Sequence, residues 1–142
     1  MDIKYNVSKI KGSKEEIVKD AVSVEEPLEM RLKYKKNGKL ETQNISITMR
    51  TPGNDEDLIR GFLFNERIIE NMDEIDSVQH IGDPVGDYNL HNVIEATINK
   101  TDNLDIGKLK RNFVTNSSCG VCGKTSLDSI EAVSYTHLRA HE

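Results

Sequence analysis

Length, composition and charge describe one domain-sized chain and exclude several classes of function. The 142 residues are 36% hydrophobic and 30% charged, and no apolar run approaches the roughly 20 residues that a membrane-spanning helix needs. The net charge is −5, and Lys and Arg are interspersed with Asp and Glu, so a nucleic-acid partner is not expected. The N terminus lacks the basic and apolar blocks of a secretory signal, which makes the cytoplasm the expected compartment.

The first half of the chain predicts β-strands. A β-branched stretch from Val18 to Val24 is followed by apolar residues that alternate with charged ones, which is typical of a half-buried strand. The apolar positions are Leu28, Met30, Leu32 and Tyr34. Asn37-Gly38 tolerates the positive φ angles of a type I′ turn and therefore predicts a hairpin. The return strand alternates at Ile45, Ile47 and Met49. Leu40 is out of phase with these positions and predicts a β-bulge on the way back.

A helix is predicted over about residues 55–66, after the break at Pro52-Gly53. Asn54 is a suitable N-cap, and replacing it by alanine should cost about 1 kcal/mol if its side chain caps the helix. The three acidic residues that follow Asn54 favour the positive end of the helix dipole. The apolar face consists of Leu58, Ile59, Phe62 and Leu63.

Two further strands are predicted, from Ile75 to Ile81 and from Leu90 to Ile98, with a turn-rich segment between them. A short apolar run, residues 113–115, precedes a Cys-x-x-Cys loop. A second helix is predicted from Thr125 to Val133, with Leu127 and Ile130 on one face. The predicted fold class is α+β: a mainly antiparallel sheet, one clear helix, and the cysteine loop leading into the second helix.

The chain divides into three predicted parts. Residues 1–116 form an N-terminal α+β domain, and residues 117–133 hold the Cys-x-x-Cys loop and the start of a second domain. Residues 134–142 change in character and resemble a translated sequencing-adapter tail. We therefore interpret residues 1–133 as a truncated protein.

Cys119 and Cys122 are the candidate catalytic residues. They are the two cysteines of the chain, and a closely spaced pair in a reducing compartment is more often catalytic, redox-active or metal-binding than a structural disulfide. The reactive form of cysteine is the thiolate, which Lys124 and the N terminus of the predicted second helix would favour. The first cysteine of such a loop is commonly the exposed one. Cys119 is therefore the expected nucleophile, and Cys122 its modulator.

Other interpretations of the cysteine pair remain open. Two buried thiols would behave as small hydrophobic residues, but this leaves the surrounding Gly and Ser residues unexplained. A thioredoxin-like pair would follow the first strand of a βαβ unit, whereas this pair follows five or six predicted strands. His80 and His91 are single histidines of a strand and a turn, and neither is assigned a role.

A zinc site is the second functional hypothesis. Cys119-x2-Cys122-x14-His137-x3-His141 satisfies the spacing of a Cys2His2 site. Both histidines lie in the segment interpreted as non-native, and the aromatic and leucine positions of a zinc finger are not evident. We therefore predict no metal site, and a small zinc-binding interaction module using Cys119 and Cys122 stays the alternative.

Four segments together resemble the formate dehydrogenase accessory sulfurtransferases (FdhD). They appear in the order found in that family and cover most of residues 20–130. The segments are Val24-Glu25-Glu26-Pro27-Leu28, Arg50 to Leu58, Gly61 to Glu66, and Ser117-Ser118-Cys119-Gly120-Val121-Cys122-Gly123-Lys124. Arg67 stands where the family usually has Gly before Ile-Ile.

The resemblance implies a sulfur carrier whose persulfide forms on Cys119. Family members accept sulfur from a cysteine desulfurase and pass it to the molybdenum cofactor, in its bis-guanine-dinucleotide form, before that cofactor enters formate dehydrogenase. The cofactor is thus the sulfur acceptor, no permanently bound cofactor is expected, and a homodimer is possible. Family proteins continue into a deaminase-like α/β domain that is largely missing here. The resemblance does not identify cofactor-binding residues in this chain, and sulfur transfer by the fragment is expected to be impaired.

Overall fold

A four-stranded sheet and a separate two-stranded hairpin account for the strands in residues 1–101, the part of the chain that the computed structural model describes. The strands are β1 Asp2–Lys11, β2 Lys14–Ser23, β3 Glu26–Lys36, β4 Lys39–Arg50, β5 Ile75–His80 and β6 Val93–Thr101. Helix α1 spans Asp55–Asn65, and a 3-10 turn spans Met72–Glu74. Within these residues the α+β class is confirmed.

The sheet is mixed because its two central strands run parallel. Its order is β4-β3-β6-β5, with β3 parallel to β6. The pairs β1–β2, β3–β4 and β5–β6 are antiparallel. The prediction of a mainly antiparallel sheet is therefore confirmed, and the parallel pairing at the centre of the sheet is a feature that it did not include.

The predicted hairpin between β3 and β4 is confirmed, and so is the predicted bulge on the return strand. Asn37 and Gly38 have φ angles of 50° and 75°, as a type I′ turn requires. The pairing steps from Met30↔Ser46 to Arg31↔Asn44, so Ile45 is the extra residue. Leu40 pairs with Lys35 and is exposed. Its apolar side chain therefore does not enter the core. The bulge explains its phase, because the extra residue brings Leu40 to the same face of β4 as Ile47.

Alternating side chains of the central strands pack against α1 to form the core. The largest fully buried side chains are Leu28, Met30, Leu32, Ile47, Ile59, Leu63, Ile68, Ile69 and Ile94. From the predicted helix face, Ile59 and Leu63 are fully buried and Phe62 is partly buried. Leu58 is exposed, because it lies on the flank of the stripe that Ile59, Phe62 and Leu63 form at helical spacing.

Helix α1 begins where predicted, but Asn54 does not cap it through its side chain. The Leu58 N–H donates to the Asn54 carbonyl at 3.0 Å, which confirms the N-cap position. The Asn54 side chain makes no capping hydrogen bond, and its backbone angles (φ −128°, ψ 39°) lie outside the extended region that is usual for an N-cap.

Asn54→Ala should therefore destabilise the protein by less than about 0.5 kcal/mol, since no capping bond is lost. The free energy of unfolding in urea measures this cost. Asn92→Ala is the control, because the buried Asn92 side chain accepts a hydrogen bond from Arg50 and its loss should cost about 1–3 kcal/mol. Equal costs for the two variants would contradict this account of the helix start.

Helix α1 ends in a Schellman motif at Arg67. Arg67 has a φ angle of 56°, and its N–H donates to the Phe64 carbonyl at 3.0 Å. The Ile68 N–H donates to the Leu63 carbonyl at 2.9 Å, which completes the motif. The glycine that the resemblance leads us to expect at this position would adopt such a positive φ angle without steric cost.

Arg67→Gly should stabilise the protein by about 1 kcal/mol, because the left-handed conformation strains every residue that carries a Cβ. The thermal midpoint of unfolding should rise. Arg67→Ala is the matched control, since it removes the same charge and keeps the Cβ. Stabilisation of equal size in both variants would mean that the guanidinium, and not the backbone, causes the effect.

Candidate functional site

The two predicted catalytic residues lie outside the described residues. Cys119 and Cys122 follow residue 101, as do the Cys-x-x-Cys loop, the predicted second helix and residues 134–142. Residues 1–101 contain no cysteine. Thiol chemistry in this chain therefore depends on Cys119 and Cys122.

Within the described residues, a buried polar cluster surrounds Arg50, at the end of β4. The guanidinium is buried and binds Asp55, the first residue of α1, through two hydrogen bonds: Nε to Oδ1 at 2.9 Å and Nη2 to Oδ2 at 3.0 Å. Arg50 Nη1 also donates to Asn92 Oδ1 at 3.1 Å, and Nη2 donates to the His91 carbonyl at 3.1 Å. One side chain thus joins the end of β4, the start of α1 and the residues that lead into β6.

His80 completes the surroundings of the Asp55 carboxylate. His80 Nε2 donates to Asp55 Oδ2 at 2.9 Å, since an ionised carboxylate can only accept. Burial alone would raise the pKa of Asp55, but the hydrogen bonds from Arg50 and His80, together with their charges, outweigh it and lower the pKa. Asp55 is therefore an ionised, fully engaged carboxylate at neutral pH and is poorly suited to act as a base.

Neither His80 nor His91 was assigned a role from the sequence, yet the two rings lie together, with centroids 5.8 Å apart. His91 Nδ1 donates to the Gly82 carbonyl at 3.1 Å. Arg50 and Asp55 lie in one of the segments that carry the family resemblance. The sequence therefore pointed to these two members of the cluster. The histidines gave no such signal, because the position of His80 beside Asp55 depends on the pairing of β5 with β6, and His91 is placed through its contact with His80.

A cavity of about 320 Å³ opens beside this cluster at the start of α1. Its lining residues are Gly53, Asn54, Asp55, Glu56, Asp57 and His80. The carboxylates in this lining disfavour an anionic ligand. Among the described residues, no group of three or more His, Cys, Asp or Glu side chains is placed to hold a metal ion. The arrangement therefore serves to hold the ends of four elements together and contains no nucleophile.

In residues 1–101 no helix combines the length and apolar character needed to cross a bilayer.

Comparison with known proteins identifies the chain's relatives. A model of the FdhD/NarQ family matches residues 24–141, a range that includes Cys119 and Cys122. A sulfur carrier protein FdhD of Sulfurisphaera tokodaii is 39% identical over 124 residues, which cover 87% of this chain and 42% of that protein. The sulfur carrier protein FdhD of Corynebacterium efficiens is 37% identical over 116 residues, covering 78% of this chain and 39% of that protein.

A third relative, the sulfur carrier protein FdhD of Streptomyces avermitilis, is 41% identical over 112 residues, covering 78% of this chain and 37% of that protein. No solved structure matches the chain. The chain spans about two fifths of the length of these curated relatives. The extent of the family match establishes that the chain belongs to the FdhD/NarQ family.

Proposed function

We propose that this chain is the N-terminal part of a cytoplasmic sulfur carrier that holds sulfur as a persulfide on Cys119. The observation that carries the proposal is the family match, which extends across both cysteines and is accompanied by relatives named sulfur carrier proteins. The sequence Ser117-Ser118-Cys119-Gly120-Val121-Cys122-Gly123-Lys124 supplies the chemistry. It offers a cysteine, which is a nucleophile as the thiolate, close in sequence to a second cysteine and to a lysine.

The loading step is a thiol exchange with the persulfide of a cysteine desulfurase. The Cys119 thiolate attacks the outer sulfur of the donor persulfide and forms a new S–S bond. The S–S bond of the donor breaks, and the donor cysteine leaves as a thiolate. No external oxidant is needed, because the sulfane sulfur keeps its oxidation state throughout the exchange.

The delivery step gives Cys122 a role. If the Cys122 thiolate attacks the inner sulfur of the Cys119 persulfide, the outer sulfur leaves as hydrosulfide with the electron pair of the broken bond. A Cys119–Cys122 disulfide remains, and two thiols or one dithiol must then reduce it and are themselves oxidised to a disulfide. The proposed acceptor is the molybdenum cofactor that is destined for formate dehydrogenase, and its binding surface is assigned to the part of the relatives that this chain does not cover.

Mass spectrometry of the loaded protein tests the proposal. Incubation with a cysteine desulfurase and cysteine should add the mass of one sulfur atom to the Cys119 peptide, and a reducing thiol should remove it. Omitting the desulfurase is the control for free sulfide. Zinc bound in a stoichiometric amount and lost on replacing either cysteine, without any sulfur adduct, would instead support the zinc-binding module.

A further inference from the structure

The N-terminal hairpin exposes both of its edges and several apolar side chains. Among residues 1–101, β1 and β2 pair only with each other. Ile10 and Ile17 are 73% and 74% exposed. A two-stranded hairpin is marginally stable in water unless a further strand or a packed layer supports it. This hairpin therefore has the properties of a docking element.

The backbone groups on the outer edge of β2 can be assigned from the ladder. Val24 N–H donates to the Met1 carbonyl at 3.0 Å, and the β1–β2 pairing continues without a register shift. Hydrogen-bonded and non-hydrogen-bonded pairs alternate along an antiparallel ladder. The even-numbered residues of β2 therefore bond to β1, and Glu15, Ile17 and Lys19 point their N–H and C=O groups outward.

The charges along this edge are self-complementary about one residue. An antiparallel pairing of β2 with β2 of a second copy, centred on Ile17, places Glu15 opposite Lys19 and Lys14 opposite Asp20, each twice by symmetry. It also joins the outward-pointing backbone groups in hydrogen-bonded pairs. We propose that β2 is a self-complementary edge through which two copies of this chain form a continuous four-stranded sheet.

Neighbouring registers and the other edge of the hairpin lack this complementarity. A centre at Glu16 or Lys19 places that residue opposite its own copy, and a centre at Val18 places Glu16 opposite Asp20. Like charges that face each other across a ladder are destabilising. Two copies of β1 can also be paired antiparallel through their outward-pointing backbone groups, with the centre at any residue from 4 to 9. None of these registers places a positively charged residue opposite a negatively charged one. The charge pattern thus selects β2 and one register, and it fits a second copy of this chain as the partner.

Engineered cysteines test the register in the whole chain carrying Cys119→Ser and Cys122→Ser. Ile17→Cys places two thiols at a hydrogen-bonded pair, where Cα atoms lie about 5.5 Å apart, within the range of about 4.4–6.8 Å that a disulfide spans. Ile10→Cys is equally exposed but lies on β1, and its copy is three strand spacings away across the sheet and four residues away along it, which is about 20 Å. Mild oxidation should give covalent dimers of the Ile17→Cys protein alone. Equal cross-linking of both variants, or of neither, would overturn the proposal.

Charge exchange tests the same contact without a covalent bond. Sedimentation should show a concentration-dependent dimer of the whole chain, and Lys19→Glu should weaken it on the order of tenfold by creating two Glu–Glu pairs. Glu15→Lys combined with Lys19→Glu should restore the dimer, and Lys4→Glu on β1 should not affect it. Circular dichroism checks that each variant is folded. A chain that stays monomeric, or a dimer insensitive to Lys19→Glu, would show that β2 is not the interface.

Discussion

Replacing Cys119 by alanine in the full-length protein is expected to abolish both persulfide formation and the maturation of formate dehydrogenase. Because Cys119 is the proposed attacking thiolate and Cys122 the resolving thiol, Cys122 is not expected to take over the loading step. Formate dehydrogenase activity of cells that carry the variant, together with the mass of the loaded Cys119 peptide, measures the effect.

Cys122→Ala is the matched control for Cys119→Ala. It removes an equally small side chain three residues away, but the persulfide should still form. Delivery should slow, since the resolving thiol is absent and another thiol must take its place. Complete loss of loading in both variants would contradict a single carrier cysteine and would indicate a metal site or an obligate dithiol.

Asp55→Asn is expected to lower the free energy of unfolding by about 3–5 kcal/mol, because it leaves the buried Arg50 guanidinium without its counter-charge. Arg50 and Asp55 are both buried, so water cannot compensate for the lost carboxylate. Glu56→Gln is the matched control. It neutralises the next residue of the same helix turn, which is exposed, and should change stability by less than about 0.5 kcal/mol.

The effect of Asp55→Asn should also depend on pH. The folded state lowers the pKa of Asp55, so its stabilisation is fully present above the unfolded pKa of about 3.9 and is lost as the pH falls through the folded value. The difference in urea midpoint between the wild type and Asp55→Asn should therefore be largest near neutral pH and shrink in acid. A difference that stays constant down to about pH 2 would mean that the substitution acts through packing and not through charge.

Elements with a local signature could be predicted from the sequence. The alternation from Leu28 to Tyr34, the Asn37-Gly38 turn and the helix after Asn54 each depend on residues that are close in sequence, and the structure contains all three. The first strand of the N-terminal hairpin was not predicted individually. Ile3, Tyr5 and Val7 alternate with polar residues, but this alternation covers only three apolar positions, and no side chain of the strand is fully buried.

Features that depend on distant residues could not be predicted in the same way. The parallel pairing of β3 with β6 joins Glu29 to Val93, and no local pattern specifies which strand occupies the open edge of β3. The cluster around Arg50 has the same origin, because its partners at His91 and Asn92 arrive only when β6 enters the sheet. The candidate nucleophile, Cys119, was identified by its motif, and its surroundings stay a prediction.

The position of β6 between β3 and β5 has a consequence for how the protein is made. The β3–β4 hairpin leaves the ribosome before β6, and one edge of β3 stays open until β6 has been synthesised. An unpaired strand edge is a template for association with other chains, and folding steps that wait for distant partners are slow. During synthesis, this half-built sheet is therefore the stage most exposed to aggregation, and a chaperone that shields β3 until Thr101 emerges would protect it.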